Sequence, residues 1–248
     1  MLRSSRLRAA ILAPLLLTSL PLASVRAPHG HPSVASVASV ASGGLVERPF
    51  TPRAAERERA KAEVRRRLTE DGNGTYIAEM LAERDSALAR WPDRHGRPLA
   101  VWIQPTPNVP DWSETYAEGV RQAIHDWDAL ELPVRFSFAS DSARADVHVI
   151  FIDHFDEPIS GRTKWARDDN WWITNADIVL AVHHRNGSAL DDGAMHAMAL
   201  HEVGHLLGLD HTEDPTSIMA ARVRVRDLSS ADRATVRLLY TLPPGGVR

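Results

Sequence analysis

The chain contains no cysteine in its 248 residues. Stabilising disulfides are therefore excluded, and so is a zinc site built on thiolates. A lipid anchor attached through cysteine is excluded for the same reason. Lysine is scarce: Lys61 and Lys164 are the only two, so arginine carries almost all the positive charge. Long apolar runs are scarce too. One spans residues 9–22, and Pro14 and Pro21 interrupt it. It is too short and too broken for a membrane span. Arg3, Arg6 and Arg8 precede it, and the small residues Ala23 and Ser24 follow. This pattern predicts a secretory signal peptide over residues 1–27, with a retained anchor as the alternative. No second such run exists, so the reading is a secreted protein, extracellular or periplasmic, with no stable membrane insertion after signal removal.

The richest segment is residues 201–211, which read H-E-x-x-H-x-x-G-x-x-H without a gap. His201 and His205 are four residues apart, so on a helix their rings leave one face about a turn apart. That spacing suits two imidazole ligands on one tetrahedral zinc. Gly208 tolerates the left-handed conformation that ends a helix and turns the chain back. His211 then closes the site from outside the helix. Three histidines leave a fourth position open for water, as in catalytic rather than structural zinc sites. Glu202, beside the first ligand, is placed to take a proton from that water. Chance occurrence of the motif is roughly one in ten thousand for a chain of this length. The plainer readings are histidines that serve only as core or surface residues, and a zinc site without turnover.

The motif resembles that of the metzincin zinc proteases, whose signature adds a downstream methionine turn. Ser217, Ile218, Met219 and Ala220 stand where that turn is expected, and Thr212 after the third histidine is similar to the matrixin branch. Residues 116–127 resemble the matrixin first helix, 145–151 its third strand and 228–240 its closing helix. The resemblance covers residues from about 99 to 242. It implies an α+β, zincin-like catalytic domain, with a twisted mixed sheet, three main helices and an active-site cleft. It implies a catalytic zinc ion, and Met219 as an apolar floor beneath it. It also implies that the strand near Ile178 is an edge to which an extended substrate adds. Two departures stand out. The family's latency device, a prosegment cysteine, cannot operate here. The usual Pro and Tyr after the methionine turn are replaced by Ala220-Ala-Arg-Val-Arg-Val-Arg226. Alternation puts Arg222, Arg224 and Arg226 on one side, either as a solvated edge or as a cationic wall favouring acidic substrate side chains.

Length allows one domain of ordinary size with extra segments. Ser-Val-Ala repeats follow residue 33 and end in Ser42-Gly43-Gly44; such small residues build no core, so residues 28–68 are expected to be a disordered or prosegment-like linker. Within it, residues 53–68 suit an exposed helix with little apolar face. A helical extension over 69–97 follows, in which Ile77, Leu81, Leu88 and Trp91 recur at helical spacing over 75–91. The zinc metalloprotease domain is then residues 98–248. Residues 1–68 hold 12 Lys and Arg against 4 Asp and Glu, a net of +8, whereas the remainder holds 17 against 28, a net of −11. The basic segment suits a contact that slows the acidic domain without cysteine; a solvated tail is the alternative. A domain this acidic argues against nucleic-acid binding.

Coarse periodicity predicts strands over 99–104, 134–139, 147–153 and 178–184, with the third central. Tyr116, Val120, Ala123 and Trp127 mark an amphipathic helix over 111–130, with Asp111 and Glu114 at capping-box spacing. Asp191 and Asp192 suit the positive end of the zinc helix. The last helix is expected over 228–240. His154, Asp156, Asp168, Asp169, Asp177, His183 and His184 offer donors for a structural zinc or calcium, but in no recognisable ligand pattern. His148 and His196 read as non-ligands, and Trp165, Trp171 and Trp172 as packing or cleft residues.

Together these features read as a secreted zinc endopeptidase, monomeric, acting on protein or peptide substrates. Its metal ligands are His201, His205 and His211, its general base is Glu202, and Gly208 and Met219 shape the site. The alternatives are a zinc-dependent peptide-binding protein without turnover, which would have no need of Glu202, and a fold merely stabilised by zinc, which would close the fourth position.

Overall fold

The computed structural model describes residues 52–246 apart from Asp85 and His95. The signal peptide expected over 1–27 and the repeats after residue 33 lie outside the described residues. Helix α1 (Pro52–Asp71) opens the described chain. Its arginines and glutamates pair one turn apart, as Arg66 and Arg67 do with Glu63, and among its described side chains only Val64 is driven fully into the core. The linker boundary expected at residue 68 therefore falls inside a helix.

The single helix expected over 75–91 is instead a helix, a turn and a strand. Helix α2 (Ile77–Glu83) ends after seven residues, Ser86 turns the chain at φ 60°, and strand β1 (Ala87–Leu88) continues extended. Ile77, Leu81, Leu88 and Trp91 are all buried as expected. An extended segment can bury alternate residues as well as a helix can, which is why spacing alone misread this stretch.

The main sheet has five strands in the order β3-β2-β4-β6-β5: β2 (Leu99–Ile103), β3 (Phe136–Phe138), β4 (Val147–Ile152), β5 (Gly161–Arg167) and β6 (Ile173–Ala181). Strands β3, β2, β4 and β6 run parallel, and β5 pairs antiparallel with β6. Strand β4 is central, as its apolar run predicts; Val147, Val149 and Phe151 point into the core. The strand expected over 178–184 begins earlier, at Ile173, and lies inside the sheet. The open edge beside it is β5, whose sequence GRTKWAR lacks an apolar alternation and gave no strand signal. A partly solvated edge strand buries too little on either face to reveal itself.

Helix α3 (Glu114–Asp128) packs Tyr116, Val120, Ala123 and Trp127 against helix α4 (Asp192–Leu206). The cap of α3 is Ser113, not Asp111, which is freed to contact His183. Trp127 donates from Nε1 to the Leu200 carbonyl at 2.9 Å, and Tyr116 from its hydroxyl to the Leu190 carbonyl at 2.6 Å, so both large side chains are buried with their polar atoms satisfied. Asp191 caps α4 through the Ala194 amide, and ten of the fifteen helix residues are buried, which makes α4 the central post of the fold rather than a surface helix. Helix α5 (Ser230–Thr241) opens with a full capping box between Ser229 and Asp232, and strand β7 (Gly245–Gly246) returns to pair with β1. The α+β architecture is as expected.

The His183 ring, with its side chain 8% exposed, has Nε2 at 3.0 Å from Asp111 and Nδ1 at 2.6 Å from Asp153, the second contact lacking hydrogen-bond alignment. The Asp111 hydrogen bond, aided by Asp153, raises the His183 pKa against the opposing effect of burial. A raised folded pKa gives stability that is complete below the unfolded value of about 6.5 and is lost as pH rises through the folded value. Melting temperature measured with chelator present is expected to fall over that window, and Asp111→Asn to flatten the fall. An unchanged slope in the variant would rule out His183 as its source.

Candidate metal centre and cleft

Helix α4 presents His201 and His205 one turn apart, as the motif spacing requires. Gly208 then adopts φ 101°, and a side chain there would meet the Ala89 carbonyl oxygen at 2.2 Å, so both its conformation and its space demand glycine. Past this turn His211 comes back over the helix end. The three Nε2 atoms lie 3.1, 3.2 and 3.3 Å from one another. A tetrahedral ion with metal–nitrogen bonds of about 2.0–2.1 Å has nitrogen–nitrogen edges of roughly 3.3–3.4 Å, so the cluster fits zinc closely. Among the described residues this is the sole convergence of three or more such ligand atoms. His154 and His183 pair with aspartates, His148 with Asp177 and the Ser142 carbonyl, and His196 with Asp126.

The rings are oriented from behind. His201 donates from Nδ1 to the Ile218 carbonyl at 2.7 Å, and His205 from Nδ1 to the Leu209 carbonyl at 3.0 Å. A proton fixed on Nδ1 leaves the Nε2 lone pair facing the common centre, the tautomer that a metal ligand needs. Burial holds the His201 pKa down to about 4 and that of His205 well below its ordinary value, which keeps both rings neutral.

Met219 is fully buried beneath the helix. A side chain at Gly204 would meet its sulfur at 2.3 Å, so this glycine makes room for the methionine against α4. The turn that carries Met219 is pinned by Asp232. That carboxylate accepts from the Ser217 hydroxyl at 2.5 Å and the Ile218 amide at 3.1 Å, which aims the Ile218 carbonyl at His201.

Glu202 packs under the edge strand β5, against Thr163 and Gly161, and is 3% exposed. The Thr163 hydroxyl donates to its Oε2 at 2.6 Å and also lies 3.0 Å from its main-chain carbonyl. Burial pushes the Glu202 carboxyl up to about 7, while Thr163 and the more distant Arg162 pull it down. The three histidines and Glu202 open together into a cleft of about 1140 Å³. Leu190, Met198, Val223 and Val225 give its wall an apolar stretch, and the exposed Arg222, Arg224 and Arg226 line it too, so the arginines do not face the cleft to the exclusion of the valines between them as strict alternation implies. Arg226 is tied to Asp191. Trp165 lines the cleft as well, whereas Trp172 lies under Arg90 and Trp171 under Arg167.

Thr163, Asp232 and Arg84 were not legible as site residues. Thr163 sits in a strand without pattern, Asp232 stands in a stretch read only as the last helix, and Arg84 stands in a segment read as plain helix.

Comparison with known proteins agrees with this geometry. The family model described as Matrixin matches residues 91–241. Human Matrix metalloproteinase-15 is 30% identical over 159 residues, covering 60% of this chain and 21% of that protein. Metalloendoproteinase 1 of Glycine max is 25% identical over 167 residues, covering 59% of this chain and 51% of its own length. Metalloendoproteinase 5-MMP of Arabidopsis thaliana is 26% identical over 181 residues, covering 63% and 47%. The chain thus spans about half or less of the length of these relatives.

Zinc titration of the metal-depleted protein, followed by metal analysis and thermal melting, is expected to give one ion per chain and a raised melting temperature. Saturation at a hundredfold excess over Kd corresponds to about 2.7 kcal/mol of added stability. His205→Ala is expected to abolish both effects, and retention of tight binding by that variant would contradict the assignment.

Proposed function

The chain belongs to the matrixin family, and from that premise we propose that it is a secreted zinc-dependent endopeptidase acting on proteins or peptides. The observation that carries the reading is the placing of a buried carboxylate, Glu202, beside three converging imidazoles at the floor of one open cleft. His201, His205 and His211 would hold the metal. When bound, zinc supplies a Lewis acid that polarises the scissile carbonyl and acidifies water.

The chain's own residues supply the rest. Glu202 accepts the proton of the attacking water and delivers it to the departing amine nitrogen, acting first as base and then as acid. Thr163 holds Oε2 of its carboxylate, leaving Oε1 without a side-chain hydrogen bond among the described residues. The free edge of β5 offers unpaired backbone groups to an extended peptide, which adds as a further strand. This role passes to β5 because β6 is hydrogen-bonded on both sides. The apolar wall accepts an apolar side chain next to the cleaved bond, and Arg222 and Arg224, exposed at the rim, favour acidic side chains beyond it. Secretion fits the leader pattern over 1–27, and among the described residues no helix is long and apolar enough to cross a membrane.

Wild type is expected to cleave a denatured protein, and a chelator to stop it. Glu202→Ala at matched zinc content is expected to lose about a thousandfold in kcat, within the roughly 10²–10⁴-fold typical of one acid–base group. Cleavage by Glu202→Ala at the wild-type rate would sink the mechanism; no cleavage by either would favour a peptide binder. Thr163→Val is expected to lower kcat about tenfold, or roughly 1.4 kcal/mol, with Thr163→Ser restoring most of it. In peptide-library profiling, Arg222→Ala with Arg224→Ala is expected to erase a preference for acidic side chains; an unaltered profile would leave the arginines as a solvated edge.

A further inference from the structure

The segment from Tyr76 to Arg90 lies outside the matched family region, yet it reaches the metal centre. Arg84, at the end of α2, donates from Nη1 to the Gly208 carbonyl at 3.0 Å and from Nη2 to the Leu209 carbonyl at 3.1 Å. Its Nε pairs with Asp210 at 2.5 Å, and both side chains are only 17% exposed. The guanidinium also lies over the Trp165 ring, 5.2 Å from its centre, which fixes the plane of the fork. Each of these three loop residues connects to a ligand. The Leu209 carbonyl that Arg84 holds is the one that orients His205. The Asp210 carboxylate accepts from the His211 amide at 3.0 Å. Gly208 is the turn that brings His211 back. On the far side of His211, Glu79 of the same helix accepts from the Thr212 hydroxyl at 2.7 Å and the Glu213 amide at 3.0 Å. Residues 208–213 are therefore gripped on both flanks of the third histidine by two charged side chains of one short helix.

We propose that Arg84 and Glu79 are positioning residues of the metal centre, so that the N-terminal extension is a working part of the site rather than an appendage. The inference rests on the zinc reading above. A planar fork that serves two carbonyls and a carboxylate has no equivalent in lysine, whose ammonium is a single point charge. Removing such a partner one shell out from a ligand typically costs 10–100-fold in metal affinity. A brace that merely stabilised the fold would instead lower the melting temperature of the metal-free and metal-loaded protein alike.

The test uses the full chain, metal-depleted and reloaded. Zinc Kd is measured by competition with a chromophoric chelator, the visible spectrum is recorded with cobalt in place of zinc, and the metal-free melting temperature is taken for each protein. Arg84→Gln is expected to raise Kd by 10–100-fold and to alter the cobalt spectrum, with little change in metal-free melting. Glu79→Gln is expected to give a smaller rise in the same direction, and Arg84→Lys to recover only part of the loss. Should Arg84→Gln fail to fold, Arg84→Lys decides by the same comparison. Kd within twofold of wild type and an unchanged cobalt spectrum in the folded Arg84 variant would overturn the proposal while leaving the zinc reading intact. A wild type that binds neither metal would sink the zinc reading and the proposal with it.

Discussion

A carboxylate buried with no cationic partner among the described residues, that of Asp232, is the constraint on which the site depends. It is fully buried and is satisfied by four neutral donors: the Tyr76 hydroxyl, the Ser217 hydroxyl and the amides of Ile218 and Ser229. Taking such a charge out of water costs several kcal/mol, and the fold offsets this with charge-assisted hydrogen bonds at the positive end of α5. The geometry that results is rigid. Because the amide of Ile218 is held by Asp232, its carbonyl is aimed at His201, and Met219 is seated under α4. One side chain thus joins the extension, the last helix, the methionine turn and His201. Tyr76 shows the same field from the other side, since burial together with the nearby Asp232 charge strongly disfavours ionisation of its hydroxyl.

The candidate metal centre is therefore less local than its eleven-residue motif suggests. The helix contributes two imidazoles and the right spacing. Their tautomers come from carbonyls at Ile218 and Leu209, which belong to two separate loops. His211 rests on a turn whose glycine packs against Ala89 and whose carbonyls are held by Arg84. Trp91, the first residue of the family match, donates to the Leu206 carbonyl at 2.8 Å and so closes the C-terminal end of the same helix. The extension and the family domain share one core.

The motif, the central strand and the three main helices were legible because each carries a strong local signal: fixed ligand spacing, an apolar run, or a 3.6-residue stripe. The ends of the elements were less so. Asp111 was drawn into the cap of α3 by its spacing from Glu114, but its side chain does better against His183, and Ser113 takes the cap. The stretch over 75–91 carried a helical period that tertiary packing overrode. The edge strand β5 was invisible because its partners lie on one side only, and its residues answer to the cleft rather than to a core. Thr163 and Arg84 illustrate the general limit. Their importance lies in what they touch across 39 and 124 residues of chain, and no window of sequence contains both ends of such a contact.

The open edge proposed to receive a peptide is also a hazard, because any unpaired strand can pair with its own copy. Strand β5 carries Arg162, Lys164 and Arg167 and no carboxylate. Two molecules that met edge to edge would bring like charges together along the whole seam, whereas a guest peptide of neutral or acidic character meets no such barrier. The residues that hid this strand from periodicity would thus also sort strangers from siblings: a row of backbone groups proposed to admit foreign chains would turn away copies of itself.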